Sequence, residues 1–125
     1  MTSSRAVLIV DDSVASGRAI GGVLRRAGID DVDVAESLPA AIEQLNRRQY
    51  GVVIADYFVG DSTGLVLRTA MRDMPQASSI AFILLSNRGA DCCAATTDAC
   101  ASLTKPVDPR RLRDLVEASL AEALR

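Results

Sequence analysis

Five polar residues in this 125-residue chain follow short apolar runs, and together they could carry chemistry. Asp11 and Asp12 follow the run AVLIV, and Asp56 follows GVVIA. Ser86 ends the run IAFILL, and Lys105 follows ASLT. If these runs are parallel strands, their carboxyl ends meet at one edge of the sheet, where open α/β folds bind ligands. We therefore expect three carboxylates, a hydroxyl and an ammonium group at one site.

This residue set suits phosphoryl chemistry. Three adjacent carboxylates repel one another, and Mg²⁺ with its oxygen ligands relieves that conflict. The carboxylate of Asp56 would then be a nucleophile toward a phosphoryl group, with Lys105 and Ser86 balancing its oxygens. Each residue alone has an ordinary explanation, such as a helix cap for Asp12. All five at one edge favour formation and hydrolysis of an aspartyl phosphate.

Strand and helix signals alternate along the chain. Apolar or alternating runs predict five strands, at residues 5–10, 31–36, 51–56, 79–86 and 101–104. Helical spacing and capping residues predict five helices: one ending at Gly28, one from Leu38, one from near Ser62 or Thr63 to Pro75, a weak one over 88–98, and one from Pro109. Strict alternation of this kind predicts an α/β fold with a parallel sheet and helices on both faces.

Composition excludes several classes of protein. Hydrophobic residues make up 49% of the chain, and there are two Tyr, two Phe and no Trp, so the core should be aliphatic. The net charge of −2 argues against direct nucleic-acid binding. No apolar stretch approaches the roughly 20 residues of a membrane span, and the N-terminus lacks the features of a signal peptide. We expect a cytoplasmic protein.

The three cysteines, Cys92, Cys93 and Cys100, do not form a metal-binding pattern. Their number is odd, two are adjacent, and the chain has no histidine and no CxxC pair. We interpret them as small thiols in a reducing compartment, with a redox role as the alternative.

The sequence resembles the receiver domain of two-component response regulators over essentially its whole length. The resemblance depends on Asp11-Asp12, on Asp56 with Gly64 in the loop beyond it, and on the residues that end the last two strands, Ser86 and Lys105-Pro106. It implies a doubly wound (βα)₅ flavodoxin-like fold with strand order 2-1-3-4-5. It also implies one receiver domain over residues 1–125, a signalling module rather than an enzyme.

The resemblance also implies a role for each residue. Asp56 would accept a phosphoryl group from a sensor histidine kinase or phosphotransfer protein. Asp11, Asp12, Asp56 and the backbone carbonyl of Phe58 would hold Mg²⁺, with Asp11 acting through water. Ser86 and Lys105 would bind the phosphoryl group, and the Lys105–Pro106 peptide bond would be cis.

The chain departs from the family pattern at four places. Val59 stands where Pro is common, and Asn87 where Ala is usual. The segment between Ser86 and Lys105 is about one helical turn shorter than in the family. Ser102 replaces an aromatic residue that moves inward on activation. Two interpretations follow: the family tolerates these variants, or this receiver signals through another surface, such as the first helix.

Alternative functions make different demands on the sequence. A pseudo-receiver that binds proteins without phosphorylation would share the fold, and the short fourth helix and Ser102 favour it. A phosphatase of the haloacid-dehalogenase type needs a second Asp two residues after Asp56, where this chain has Phe58. Flavodoxin-like and dinucleotide-binding proteins need a phosphate-binding loop after the first strand, and this chain has Asp-Asp-Ser-Val there.

The last predicted helix extends to Arg125. We therefore expect either a stand-alone adaptor or phosphate sink, or the receiver part of a longer chain.

Overall fold

The computed structural model describes residues 6–86 and 100–123. Seven strands are present in this part of the chain: β1 Val7–Val10, β2 Val32–Ala35, β3 Val52–Asp56, β4 Phe58–Val59, β5 Ser62–Thr63, β6 Ala81–Ser86 and β7 Cys100–Thr104. The described helices are α1 Val14–Arg26, α2 Leu38–Arg47, α3 Gly64–Arg72 and α4 Pro109–Ala123. None of these helices combines the length and apolarity needed to cross a bilayer.

Five strands form one parallel sheet in the order β2-β1-β3-β6-β7. This is the predicted 2-1-3-4-5 order, and the labels differ because β4 and β5 form a separate antiparallel hairpin. That hairpin was not among the predicted strands. The doubly wound α/β fold is therefore confirmed, with an added two-stranded element directly after Asp56.

The sheet divides the apolar side chains into two cores because successive residues of a strand point to opposite faces. Val53 and Ala55 of β3 pack on the face covered by α2 and α3. Val52 and Ile54 pack on the opposite face, which α1 and α4 cover. The central strand is buried on both sides except at its tip, Asp56. A continuous apolar run that ends in an acid is the sequence signature of this arrangement.

Local capping explains where the helices begin and end. Ser13 caps α1 by accepting a hydrogen bond from the Ser16 N–H, and Ser37 caps α2 in the same way. Gly28 follows the end of α1 with a φ of 88°, a left-handed conformation that favours glycine.

Thr63 occupies the N-cap position of the third helix, as predicted, but its side chain makes no capping hydrogen bond. Ser62 and Thr63 lie in β5, and α3 begins at Gly64 without a side-chain cap. The Gly64 N–H instead donates to the carbonyl of Tyr57, which ties the helix start to the chain just beyond Asp56. The third helix also ends at Arg72, three residues before Pro75.

Several predictions lie outside the described residues. They concern the weak helix over residues 88–98, the adjacent cysteines Cys92 and Cys93, and Asn87, which follows Ser86. Cys100 begins β7, one residue earlier than predicted.

Candidate functional site

Asp11 is buried at the end of β1. The residue is 1% exposed, and its Oδ1 accepts a 2.9 Å hydrogen bond from the Ser13 N–H. Its Oδ2 has no hydrogen-bond partner within residues 6–86 and 100–123. A buried oxygen without a partner is costly, because it has lost its water and gained nothing in exchange. This atom is therefore a candidate ligand for a cation.

The surroundings of Asp11 disfavour its charged form. Burial raises the pKa of the Asp11 carboxyl above its ordinary value, and the neighbouring charges of Asp56 and Asp12 raise it further. The Ser13 N–H and the Lys105 ammonium oppose this shift but do not cancel it. The three acids are thus electrostatically in conflict, as the sequence predicted.

Asp12 is exposed and contacts the hairpin formed by β4 and β5. Its Oδ2 accepts a 2.9 Å hydrogen bond from the Gly60 N–H at the tip of that hairpin. Gly60 has a φ of 60°, which the tight turn between the two strands requires. This contact was not predicted from the sequence. The pair Gly60-Asp61 between two short β-prone segments is a signal for the hairpin alone.

Asp56 lies at the tip of β3 and is paired with the lysine at the end of β7. The Lys105 Nζ is 2.8 Å from the Asp56 Oδ1, and the two side chains are 27% and 16% exposed. Lys105 is the only lysine in a chain that has 13 arginines. The backbone N–H of Lys105 donates a 2.8 Å hydrogen bond to the Ser86 carbonyl. The Lys105–Pro106 peptide bond is cis, as the resemblance implied.

The backbone around Asp56 is closely packed. The Tyr57 N–H donates to the Leu85 carbonyl of the neighbouring strand at 2.7 Å. A Cβ atom on Gly64 would lie 2.7 Å from the Asp56 carbonyl oxygen and 2.8 Å from the Leu84 Cδ1. Only glycine fits at this position, so α3 begins in direct contact with the strand tip.

Ser86 and Phe58 complete the predicted set. Ser86 ends β6, where it is 3% exposed, and its carbonyl accepts from the Lys105 N–H. Phe58 begins β4 with a side chain that is 63% exposed and stacks edge-on against Tyr57, with 4.8 Å between ring centroids. The carbonyl role of Phe58 stays a prediction.

The acid cluster fits a hard divalent cation. One carboxylate oxygen from each of Asp11, Asp12 and Asp56 lies within 4.8 Å of the others, and all three residues offer only oxygen. Oxygen ligands at this spacing suit Mg²⁺, which keeps several of its own waters. The partnerless Asp11 Oδ2 supports the same interpretation.

A model of the response regulator receiver domain family matches residues 7–117. The match spans most of the chain, and the chain therefore belongs to this family. Receiver domains are signalling modules of two-component systems, and they bind Mg²⁺ at an acidic pocket. They interact with histidine kinases or phosphotransfer proteins. A search of curated proteins found no match to this chain.

Solved structures agree with the family assignment. A crystal structure described as a response regulator from Chloroflexus aurantiacus is 28% identical, with a TM-score of 0.84 over 93% of this chain and 97% of that one. A CheY-like receiver domain from Methylobacillus flagellatus is 25% identical, with a TM-score of 0.79 over 94% and 99%. The chemotaxis regulator CheY4 of Vibrio cholerae shares the fold at 22% identity, with a TM-score of 0.78 over 95% and 99%.

Proposed function

We propose that this chain is a phosphoacceptor receiver domain in which Asp56 is phosphorylated in a Mg²⁺-dependent reaction. The phosphoryl donor would be a sensor histidine kinase or a phosphotransfer protein. The observation that carries the proposal is the position of Asp56, which ends the central strand beside Asp11 and Asp12 and 2.8 Å from Lys105. The proposed receiver domain comprises residues 1–125.

In the proposed reaction, an Asp56 carboxylate oxygen attacks the phosphorus of a phosphohistidine. The new P–O bond forms as the P–N bond breaks, and the imidazole nitrogen leaves with the electron pair and takes up a proton from water. The product is an acyl phosphate on Asp56, which water later hydrolyses. A carboxylate at a strand tip suits this role because β3 fixes its backbone while its side chain reaches the solvent.

The remaining residues would neutralise the charges of the acids and of the phosphoryl group. Lys105 holds the Asp56 carboxylate before the reaction and would turn to a phosphoryl oxygen after it. Ser86, buried at the end of β6, would donate its hydroxyl to another oxygen. Asp11 and Asp12, with Asp56 and the Phe58 carbonyl, would hold the cation. Neutralisation of the acids and of the phosphoryl group is the chemistry that bound Mg²⁺ would supply.

Two exposed apolar side chains border the acids. Val14 begins α1 two residues after Asp12 and is 47% exposed, and Phe58 follows Asp56 by two residues. Apolar side chains beside a charged centre suit contact with a protein donor, because they add burial to the charge interaction. They support a protein, rather than a small molecule alone, as the donor.

The test is the intact mass of the protein after incubation with acetyl phosphate and Mg²⁺. The parent should gain one phosphoryl group, and Asp56→Asn and Asp56→Ala should gain none. Asp33→Asn is the matched control, since Asp33 is an acid already held by Arg48 and Tyr50. It should gain the group as the parent does. No gain in the parent would favour the pseudo-receiver, a binding module that works without phosphorylation.

A further inference from the structure

A groove lies between the end of α1 and the start of α4, on the sheet face opposite α2 and α3. It has a volume of about 150 Å³, comparable with a cavity that accommodates a benzene ring. Three arginines and three apolar or small residues line this arginine groove: Arg26, Arg110, Arg113, Val23, Ala27 and Pro109. The groove thus combines an apolar floor with a cationic rim.

The arginine groove is separate from the acid cluster. The acids lie at the amino end of α1, whereas Val23, Arg26 and Ala27 lie at its other end. Thirteen residues of helix place these ends about 18 Å apart. No residue of the acid cluster lines the groove, although Pro109 on its other wall follows Lys105 by four residues.

The start of α4 combines one acidic cap with three arginines. The Asp108 carboxylate, just before the helix, accepts a hydrogen bond from the Arg110 N–H at 3.0 Å. Arg110, Arg111 and Arg113 lie near the start of the helix, and the first turn contains no acid. The amino end of a helix carries partial positive charge, so cations there are unfavourable. Arg26 then adds a fourth positive charge from the adjacent helix. Asp108 and Asp114 offset part of this positive charge, so the groove keeps a net positive rim that favours an anionic partner.

The guanidinium groups on the rim are available for that anion. Neither Arg26 nor Arg110 makes an ion pair or a side-chain hydrogen bond with another residue in the described part of the chain. Arg113 pairs with its neighbour Asp114 at 3.1 Å, but both side chains are largely exposed. An exposed pair of this kind contributes little and can exchange partners.

We propose that the arginine groove binds an acidic segment of a partner protein, in which carboxylate side chains flank one apolar side chain. Each guanidinium can hold a carboxylate through two parallel hydrogen bonds, and the floor formed by Val23, Ala27 and Pro109 receives the apolar side chain. A long polyanion such as nucleic acid fits less well, because the net charge of the chain is −2. The segment differs from the phosphoryl donor, and the inference does not depend on phosphorylation.

The probe is a fluorescein-labelled Glu-Glu-Leu-Glu-Glu peptide, measured by fluorescence anisotropy at low ionic strength. Two matched peptides replace Glu with Gln, or Leu with Ser. The first peptide should bind saturably and more weakly as salt rises. Both matched peptides should bind at least about 5-fold more weakly, because one lacks the carboxylates and the other lacks the apolar side chain.

Variants then locate the site. Arg26→Gln and Arg110→Gln should each weaken binding of the acidic peptide by about 5-fold, and the double variant by more. Arg47→Gln on α2 is the control, since Arg47 is an exposed arginine on the opposite face with a 3.9 Å contact to Glu43. It should change binding less than about 2-fold. Val23→Thr, nearly equal in volume, should weaken only the Leu-containing peptide.

Several outcomes would overturn the proposal. They are absence of saturable binding to the parent, equal binding to the Arg26→Gln, Arg110→Gln double variant, or equal binding of the Gln peptide. Tighter, arginine-dependent binding of a DNA duplex or of phosphatidylserine vesicles would assign the groove to a different polyanion. Circular dichroism of every variant verifies the fold, and no step of this test requires phosphorylation, which keeps it distinct from the test of Asp56.

Discussion

Acids gather at both ends of the sheet, and their surroundings are opposite. At the amino end, Arg48 pairs with both Asp31 and Asp33, and its Nη1 is 2.7 Å from the Asp33 Oδ2. The Tyr50 hydroxyl donates to the same Asp33 oxygen at 2.6 Å. At the carboxyl end, within residues 6–86 and 100–123, Lys105 is the cation that pairs with Asp56 and acts on Asp11. The two acids at the amino end have an arginine that pairs with both of them, which suits a structural role. The three acids at the carboxyl end share one lysine within the described residues, which suits a cation-binding site.

The ionisation behaviour follows this difference. At the amino end, hydrogen bonds from Arg48 to Asp31 and Asp33 raise the pKa of its guanidinium. Burial, and then the hydrogen bond to Asp33, raises the pKa of the Tyr50 hydroxyl, so both groups keep their protons. At the carboxyl end, burial and like charge raise the pKa of Asp11 instead. Clustered acids therefore indicate a metal site only where their charge is left uncompensated.

The largest expected effect comes from replacing the cationic side chain at each end of the sheet with glutamine. Lys105→Gln should slow phosphoryl incorporation from acetyl phosphate by about 10²-fold, because one preorganised positive charge is removed from the transition state. Arg48→Gln should leave that rate within about 2-fold of the parent. Time courses of intact mass at fixed Mg²⁺ give both rates. An equal loss in the two variants would mean that the ends do not differ in function.

A second prediction concerns the close packing at the strand tip. Gly64→Ala should lower the free energy of unfolding by about 1–3 kcal/mol, since its Cβ would overlap the Asp56 carbonyl oxygen and Leu84. Gly22→Ala in α1 meets no atom within 4 Å and should stabilise by about 0.5–1 kcal/mol. Urea unfolding measures both changes. A stabilising Gly64→Ala would show that the strand tip can move freely.

A third prediction gives the two ends opposite signs. Asp11→Asn should raise the Tm of the Mg²⁺-free protein at pH 7 by a few degrees, because it removes a charge that the fold disfavours. Asp33→Asn should lower Tm, because it weakens the contacts with Arg48 and Tyr50. Added Mg²⁺ should raise the Tm of the parent more than that of Asp11→Asn.

The pH dependence of the Asp11 effect follows from the sign of its shift. The folded protein holds the Asp11 proton more tightly than the unfolded chain, whose pKa is near the ordinary 3.8. The parent therefore loses stability as pH rises from 3.8 through the raised pKa. The gain from Asp11→Asn should be complete above that window and vanish below it. Thermal scans from pH 3 to 7 measure this, and a gain independent of pH would contradict the assignment.

The smallest effect is expected at the amino end. Arg48→Gln should lower stability by about 0.5–1 kcal/mol, since its side chain is 38% exposed and water screens the pairs. Arg47→Gln, which loses only a 3.9 Å contact with Glu43, should change stability by less than this. Urea unfolding at low and high salt measures the difference, which should shrink with salt. A loss that persists in high salt would point to packing against Tyr50 instead.

The sequence predicted the features that depend on pattern. The apolar run ending in Asp56 predicted a central strand with an exposed tip, and the order of elements predicted the parallel sheet. The carboxyl-edge rule predicted that Asp11, Asp12 and Asp56 would meet, and the structure brings them within 4.8 Å. These predictions succeeded because strand direction alone determines which ends lie together.

The features that the sequence did not predict depend on contacts between distant residues. The Asp12–Gly60 hydrogen bond joins residues 48 positions apart, and no local pattern indicates it. The Tyr50 hydroxyl reaches Asp33 across two elements, although tyrosine at a strand start is unremarkable by sequence. Arg68 is 3% exposed on the buried stripe of α3, where its charge predicts an exposed position. Tertiary packing overrides local preference in each case.

The division of the core by the sheet has a mechanical consequence for Asp56. Its strand places side chains in both packed layers directly before the acid, with Ala55 on one side and Ile54 on the other. Close-packed interiors have low compressibility, so a shift of the strand tip cannot be absorbed locally. We therefore expect a change of charge at Asp56 to alter packing on both faces of the sheet.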